Sequence, residues 1–284
     1  KKKIKKEFKI KFKIKTFTSL SNFKNNQFNY LEKLAKKNLI TKYDLNKYDL
    51  IISDNLINLN LPFSKLYLMA NFLWSETYTK KTLSRKRYLK IENEFFTKYK
   101  NRVICNKYFS TKKIKSFKNL KIDFTGNKMS QSKINNTIFF YHSPGDYYPK
   151  KLLADLKKRN FEVFSNFKTQ DDDTKYVNLE TNKNFLKNIS MIISKPGLGI
   201  IKDIIRYQKK FFVIFKKKNI EYLNNYLKLK KYNLIDQKKH NDEKEILEKI
   251  LKLKKNKKHY NKSNFEIFKF NGAKTIYNYI KNAK

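Results

Sequence analysis

Apolar residues recur along this chain in short runs between lysine-rich stretches, and the spacing inside each run predicts an element. Phe8, Ile10, Phe12 and Ile14 alternate with polar positions at period two, which predicts a strand with one lysine-rich face. Leu31, Leu34 and Ala35 share one helical face and predict a helix over 29–37. The run Leu50-Ile51-Ile52 ending in Ser53-Asp54 has the form of a buried parallel strand opening onto a loop, and Leu66-Tyr67-Leu68-Met69-Ala70 repeats it. A helix through Phe95-Phe96 follows. Between Lys112 and Ser132 the pattern weakens, which predicts an interdomain linker there.

The second half alternates more clearly. Strands are predicted at 138–141, 161–164, 177–179, 190–193 and 211–215. Helices are predicted at 150–159, 185–189, 200–207 and 219–229, the first with Leu152, Leu153 and Leu156 on one face. Strand and helix in short alternation predict a parallel α/β sheet, whose ligands bind beyond the carboxyl ends of the strands.

Composition adds a basic surface. The 284 residues carry 67 Lys and Arg against 24 Asp and Glu, a formal charge of +43. Such a charge attracts nucleic acid or anionic lipid. A base-composition bias accounts for it as well, since Lys, Asn, Ile, Phe and Tyr are abundant while Gly and Pro number five and four. The lysines are spread along the whole chain, and drift is the simpler source. The single cysteine, Cys105, excludes an intramolecular disulfide framework, and His142, His240 and His259 lack metal-ligand spacing, so no metal site is expected. No run approaches the length of a transmembrane helix, and the cytoplasm is the expected compartment, with lysines able to hold the chain at the inner face of an anionic membrane.

The chemistry concentrates in Ser194-Lys195-Pro196-Gly197-Leu198-Gly199-Ile200-Ile201-Lys202-Asp203. Two of the five glycines fall within three residues, between a strand and a helix. Glycine there allows positive φ or close approach of a ligand to the main chain, and the helix N-terminus attracts phosphate; a tight turn without a ligand is the plainer reading. The Asp171-Asp172-Asp173 run has the form of a cation-binding acidic motif but lies in a polar stretch that reads as a solvated turn. No phosphate-loop, zincin or nucleophile-elbow motif is present.

The 194–203 segment resembles the donor-site loop of GT-B glycosyltransferases related to the peptidoglycan N-acetylglucosaminyltransferase and the monogalactosyldiacylglycerol synthases. The resemblance places Asp203 on the acidic position that holds the donor ribose, with Asp for Glu and Ile200 for Thr. Glu221 and Asn225 match the start of a later family helix, where Tyr222 replaces a Gln. Ser143 and Gly145, after the domain's first strand, fall on a small-residue loop near the diphosphate. On the other side, Asn71, Trp74 and Glu76 are similar to an acceptor-side segment.

The resemblance implies two Rossmann-like domains of GT-B type: an acceptor-side domain over 1–125 that lacks its first strand and loop, a linker over 126–137, and a donor-binding domain over 138–284 ending in a Lys-rich helical segment. It implies an inverting, metal-independent hexosyltransferase without a cofactor, taking a UDP-sugar as donor and an envelope glycan or lipid as acceptor. Ser194, Lys195, Gly197 and Gly199 would join Ser143, Gly145, Asp203, Glu221 and Asn225 in holding the donor. The catalytic base is not identified. The alternative is a basic nucleic-acid-binding or ribosome-associated protein, whose Tyr and Phe stack on bases.

Overall fold

The computed structural model describes residues 27–37, 48, 50–61, 63–77, 82–117, 120–129, 136–142, 146–168, 174–179, 185–216, 219–256 and 263–282. The strand expected at 8–14 lies outside them. Two parallel sheets organise the chain. The first runs β1 (Ile51–Asp54), β2 (Leu66–Met69), β3 (Val103–Asn106), β4 (Leu120–Ile122), in that spatial order.

Period two in these strands sorts their side chains between two covers. Leu66, Leu68, Val103 and Cys105 pack against Phe28, Leu31 and Ala35 of α1 (Gln27–Lys36) and against Tyr88, Ile91, Phe95 and Phe96 of α2 (Leu83–Tyr99). Their neighbours Tyr67, Ile104 and Ile122 point the other way. The short helix α3 (Lys112–Ser116) joins β3 to β4, with the Thr111 hydroxyl accepting from the Ile114 N–H at its start. Both α3 and β4 fall where the hydrophobic pattern is weak, because β4 sits at the sheet edge and exposes Lys121 between its two apolar residues.

The second sheet contains β5 (Thr137–Tyr141), β6 (Glu162–Ser165), β7 (Lys175–Tyr176), β8 (Met191–Ser194) and β9 (Lys210–Val213), in the order β7-β6-β5-β8-β9, all parallel. That is the doubly wound 3-2-1-4-5 arrangement, which reverses direction between β5 and β8. One face, with Ile138, Phe140, Val163, Ile193 and Phe212, is covered by α4 (Lys150–Lys158) and by Ile246 and Ile250 of α8 (Glu243–Asn256). The opposite face, with Phe139, Ile192, Phe211 and Val213, is covered by α5 (Phe185–Asn188), α6 (Leu198–Tyr207) and α7 (Ile220–Lys231). The edge strand forms at Lys175–Tyr176 rather than at Val177–Leu179. Val177 and Leu179 instead pack into the core below it, while the Val177 N–H still donates to the Ser165 carbonyl.

The C-terminal segment ties the two sheets together. After α9 (Ser263–Glu266), α10 (Gly272–Asn282) crosses to the first sheet, where Ile276, Tyr279 and Ile280 cover Tyr67, Ile104 and Ile122. The Tyr279 hydroxyl donates to the Asn101 carbonyl at 2.5 Å. Thus the helix at 272–282 belongs by packing to the first sheet, although it lies within the stretch 138–284. Between the sheets, Tyr108, Phe109 and Phe124 of the first half meet Tyr232 and Phe268 of the second, with Tyr108 and Phe268 ring centroids 4.9 Å apart. At this crossing Gly272 donates to the Phe124 carbonyl, and a Cβ on it would lie 2.3 Å from the Asp123 carbonyl oxygen.

Candidate functional site: a cationic crevice at the strand switch

The reversal of strand order leaves a crevice beyond the carboxyl ends of β5 and β8, the place where sheets of this kind bind ligands. From the β5 side come His142, Asp146 and Tyr147; from the β8 and β9 ends come Lys195 and Lys216; Tyr222 enters from the first turn of α7. Two ammonium groups and an imidazole face one carboxylate.

Each of these side chains is held by its surroundings. The Asn166 amide clamps the backbone of His142 at 2.8 and 2.9 Å, and the His142 ring sits among Phe140, Tyr148 and Phe167. Among the described residues neither buried ring nitrogen has a hydrogen-bond partner. Burial lowers its pKa, against the pull of Asp146.

Lys195 pairs with Asp146 at 2.8 Å and lies over the Tyr222 ring at 5.4 Å. Burial pushes its pKa down, but Tyr222 and Asp146 more than offset this and hold the ammonium above its ordinary value. Lys216 lies 3.7 Å over the Tyr147 ring. With the Lys195–Asp146 pair made, the space between these groups is about 20 Å³, room for one water. An anion that contacts Lys195 competes with Asp146 for it.

The loop 195–197 leads into α6 with Gly197 as its N-cap at φ −70°. Neither Gly197 nor Gly199 has a left-handed backbone. Among the described residues positive φ falls at Asn55, Asn160, Gln208 and Asn233 and, of the glycines, at Gly126; Gln208 closes α6. Nor does packing among the described residues exclude a side chain, since a Cβ on Gly197 or Gly199 would meet none of their atoms within 4 Å. Neither φ nor packing therefore asks for glycine here, whereas close approach of a ligand would.

The remaining expected donor residues divide between fold and site. Ser194 is fully buried and its hydroxyl donates to the Lys195 carbonyl at 2.9 Å. Asn225, also buried, donates from Nδ2 to the Pro196 carbonyl at 2.8 Å and so fixes α7 to the loop. Burial pushes the Glu221 carboxyl up to about 7, against the nearby Lys195 and the Leu198 N–H. Asp203 sits in the second turn of α6, its pKa raised by burial against Lys202 and Arg206, and does not line the crevice cavity. Ser143 and Gly145, like Asp171, Asp172 and Asp173, lie outside the described residues.

On the acceptor side, Asn71, Trp74 and Glu76 work within the fold. The Asn71 amide oxygen accepts from the Asn106 N–H and the Ser110 hydroxyl, both at 2.8 Å. A Glu76 carboxylate oxygen accepts from the Leu73 N–H and the Thr111 hydroxyl. The Trp74 indole donates to the Asn55 carbonyl at 2.6 Å. Together Asn71 and Glu76 shape the 106–111 turn, which meets α7 through Asn224 donating to the Phe109 carbonyl at 2.9 Å and Lys228 donating to the Ser110 carbonyl. Behind that turn the buried Glu92 accepts from the Ser75 N–H, and burial pushes its carboxyl up to about 7.

Sequence reasoning found Lys195 but not Asp146, Tyr147 or Lys216. His142 was visible only as a histidine without metal-ligand spacing, and Tyr222 only as a departure from a family pattern. Position after a strand end was the signal these residues shared.

No family model matches the chain. In sequence it is similar to an uncharacterised protein of Buchnera aphidicola subsp. Schizaphis graminum (strain Sg), 32% identical over 175 residues, covering 51% of this chain and 18% of that protein. The chain thus spans less than a fifth of the length of that curated relative. In structure it is similar to a glycotransferase of kitacinnamycin, with a TM-score of 0.62 at 8% identity over 93% of this chain and 84% of that one. The fold is two Rossmann-like domains of GT-B type. The crevice lies at the second sheet, and the 106–111 turn contacts α7, whose first turn supplies Tyr222 to it.

Proposed function

We propose that the chain is a glycosyltransferase whose second domain takes a nucleotide-sugar donor of the UDP class at the β5–β8 crevice. The observation that carries this reading is the meeting of Lys195, Lys216 and His142 at the strand switch of a GT-B-type fold, beside a loop with two glycines that neither φ nor packing requires. A diphosphate there would replace the Asp146 carboxylate on Lys195, and the open approach to Gly197 and Gly199 would let its oxygens reach the main chain at the start of α6. Fixed cations and N–H groups aimed at a leaving diphosphate stabilise the charge that builds on it during transfer, so no metal is required for that step. The reaction is inverting, and the acceptor is an envelope glycan or lipid, on the strength of the donor-loop resemblance at 194–203.

The nucleic-acid-binding alternative relies on stacking aromatics, yet Phe139, Phe140, Phe211 and Phe212 are at most 1% exposed and serve the core. Calorimetric titration of the whole chain with UDP, GDP and ADP at low and high salt separates the readings. Saturable binding that is tightest for UDP and survives higher salt is the expected result. Weak binding, equal for all three and erased by salt, would transfer the weight to phosphate attraction by the lysine surface.

A further inference from the structure

Lysines from both halves of the chain converge where the 106–111 turn meets α7. From the first half, Lys115 of α3 reaches back to donate from Nζ to the Lys107 carbonyl at 2.6 Å. From the second, Lys228 of α7 donates from Nζ to the Ser110 carbonyl of the same turn. Exposed Lys121 of β4 and Lys231 of α7 add their charges beside them. Among the described residues no carboxylate pairs with any of the four, whereas half-buried Lys195 and Lys249 are each answered by one. Such a cluster costs the fold rather than holding it. Burial and then the charges of Lys115 and Lys231 bring the Lys228 ammonium down to about 8, against the nearby Cys105. Burial lowers Lys115 as well, with Lys121 and Lys231 adding to it against Cys105. One backbone carbonyl takes only one of the three N–H groups that an ammonium carries.

We propose that Lys115, Lys121, Lys228 and Lys231 form a site for a phosphate dianion, free or carried as a monoester, which ties the first half of the chain to α7. Converging point charges on flexible stems suit a doubly charged, rounded anion better than a single flat carboxylate. The bound anion would supply the countercharge that the fold withholds, so that lysines which repel one another across the junction become ligands of one group. None of the four lines the donor crevice, and Lys228 stands about 9 Å along α7 from Tyr222, so the two sites are separate. The inference does not rest on the donor assignment.

The test is calorimetric titration of the whole chain with inorganic phosphate and with glycerol 3-phosphate, beside thermal melts with and without each. Lys115→Gln combined with Lys228→Gln is expected to weaken binding at least about tenfold, while Lys195→Ala, in the crevice, leaves this binding in place. Lys121→Gln combined with Lys231→Gln, at exposed positions whose side chains make no hydrogen bond among the described residues, gives a smaller loss in the same direction and serves if the first pair disturbs folding. Without phosphate the Gln variants melt at the same temperature as the unsubstituted chain or higher, because repulsion is relieved; with phosphate the unsubstituted chain gains more than they do. Tighter binding of glycerol 3-phosphate marks a monoester as the ligand, and equal or tighter binding of inorganic phosphate marks the free ion. Equal binding by all variants, which is attraction by the lysine surface at large, no binding by the unsubstituted chain, or loss of binding in Lys195→Ala alone would each overturn the proposal.

Discussion

Lys195→Ala is expected to weaken UDP binding at least about tenfold, and Asp146→Asn to strengthen it, because the two residues stand on opposite sides of one competition. Lys195 is paired with Asp146 at 2.8 Å beside a space of about 20 Å³, so a diphosphate that contacts Lys195 competes with that pair. Removing the amine deletes a charge-assisted contact to the ligand. Removing the carboxylate's charge frees the amine beforehand and lowers the cost of entry. Calorimetry on both variants checks the opposite signs. A purely structural ion pair would instead give losses of similar size in the two variants, each accompanied by a lower melting midpoint.

Gly272→Ala is expected to cost about 2–3 kcal/mol of stability, while Gly199→Ala is neutral or stabilising by up to about 1 kcal/mol. At Gly272 the added carbon would sit 2.3 Å from the Asp123 carbonyl oxygen, at the point where α10 leaves for the first sheet. The backbone cannot retreat without pulling Ile276, Tyr279 and Ile280 from their cover over Tyr67 and Ile104. At Gly199 the added carbon meets no atom of the described residues within 4 Å and gains helix propensity. The same methyl would stand in the path of a ligand approaching α6, so Gly199→Ala is expected to hold or raise the melting midpoint and yet weaken UDP binding. Chemical denaturation of both variants, with UDP titration of the second, separates the two glycines.

The alternation of apolar runs made most of the second sheet readable, because its buried parallel strands are short continuous runs such as Phe139-Phe140-Tyr141 and Phe211-Phe212 bounded by polar loops. The first sheet was less legible. Val103-Ile104-Cys105 directly follows the end of α2, and a three-residue apolar run there carries no periodicity of its own. The role of α10 could not be read locally at all, since its apolar face is matched by Tyr67 and Ile104, far away in sequence. The site shows the same limit. Lys195 stood out through its two glycines, whereas Asp146, Lys216 and Tyr222 join it only through the order in which the strands pair. The glycines between β8 and α6 do not serve positive φ, which among the described residues falls at Asn55, Asn160, Gln208, Asn233 and Gly126.

The structure of the whole chain with UDP bound tests the donor assignment most directly. The account predicts the diphosphate between the ends of β5 and β8, with Lys195 moved from Asp146 onto a phosphate oxygen and the base and ribose extending along α6. UDP seated elsewhere, on surface lysines or between the 106–111 turn and α7 with the Lys195–Asp146 pair intact, would contradict it.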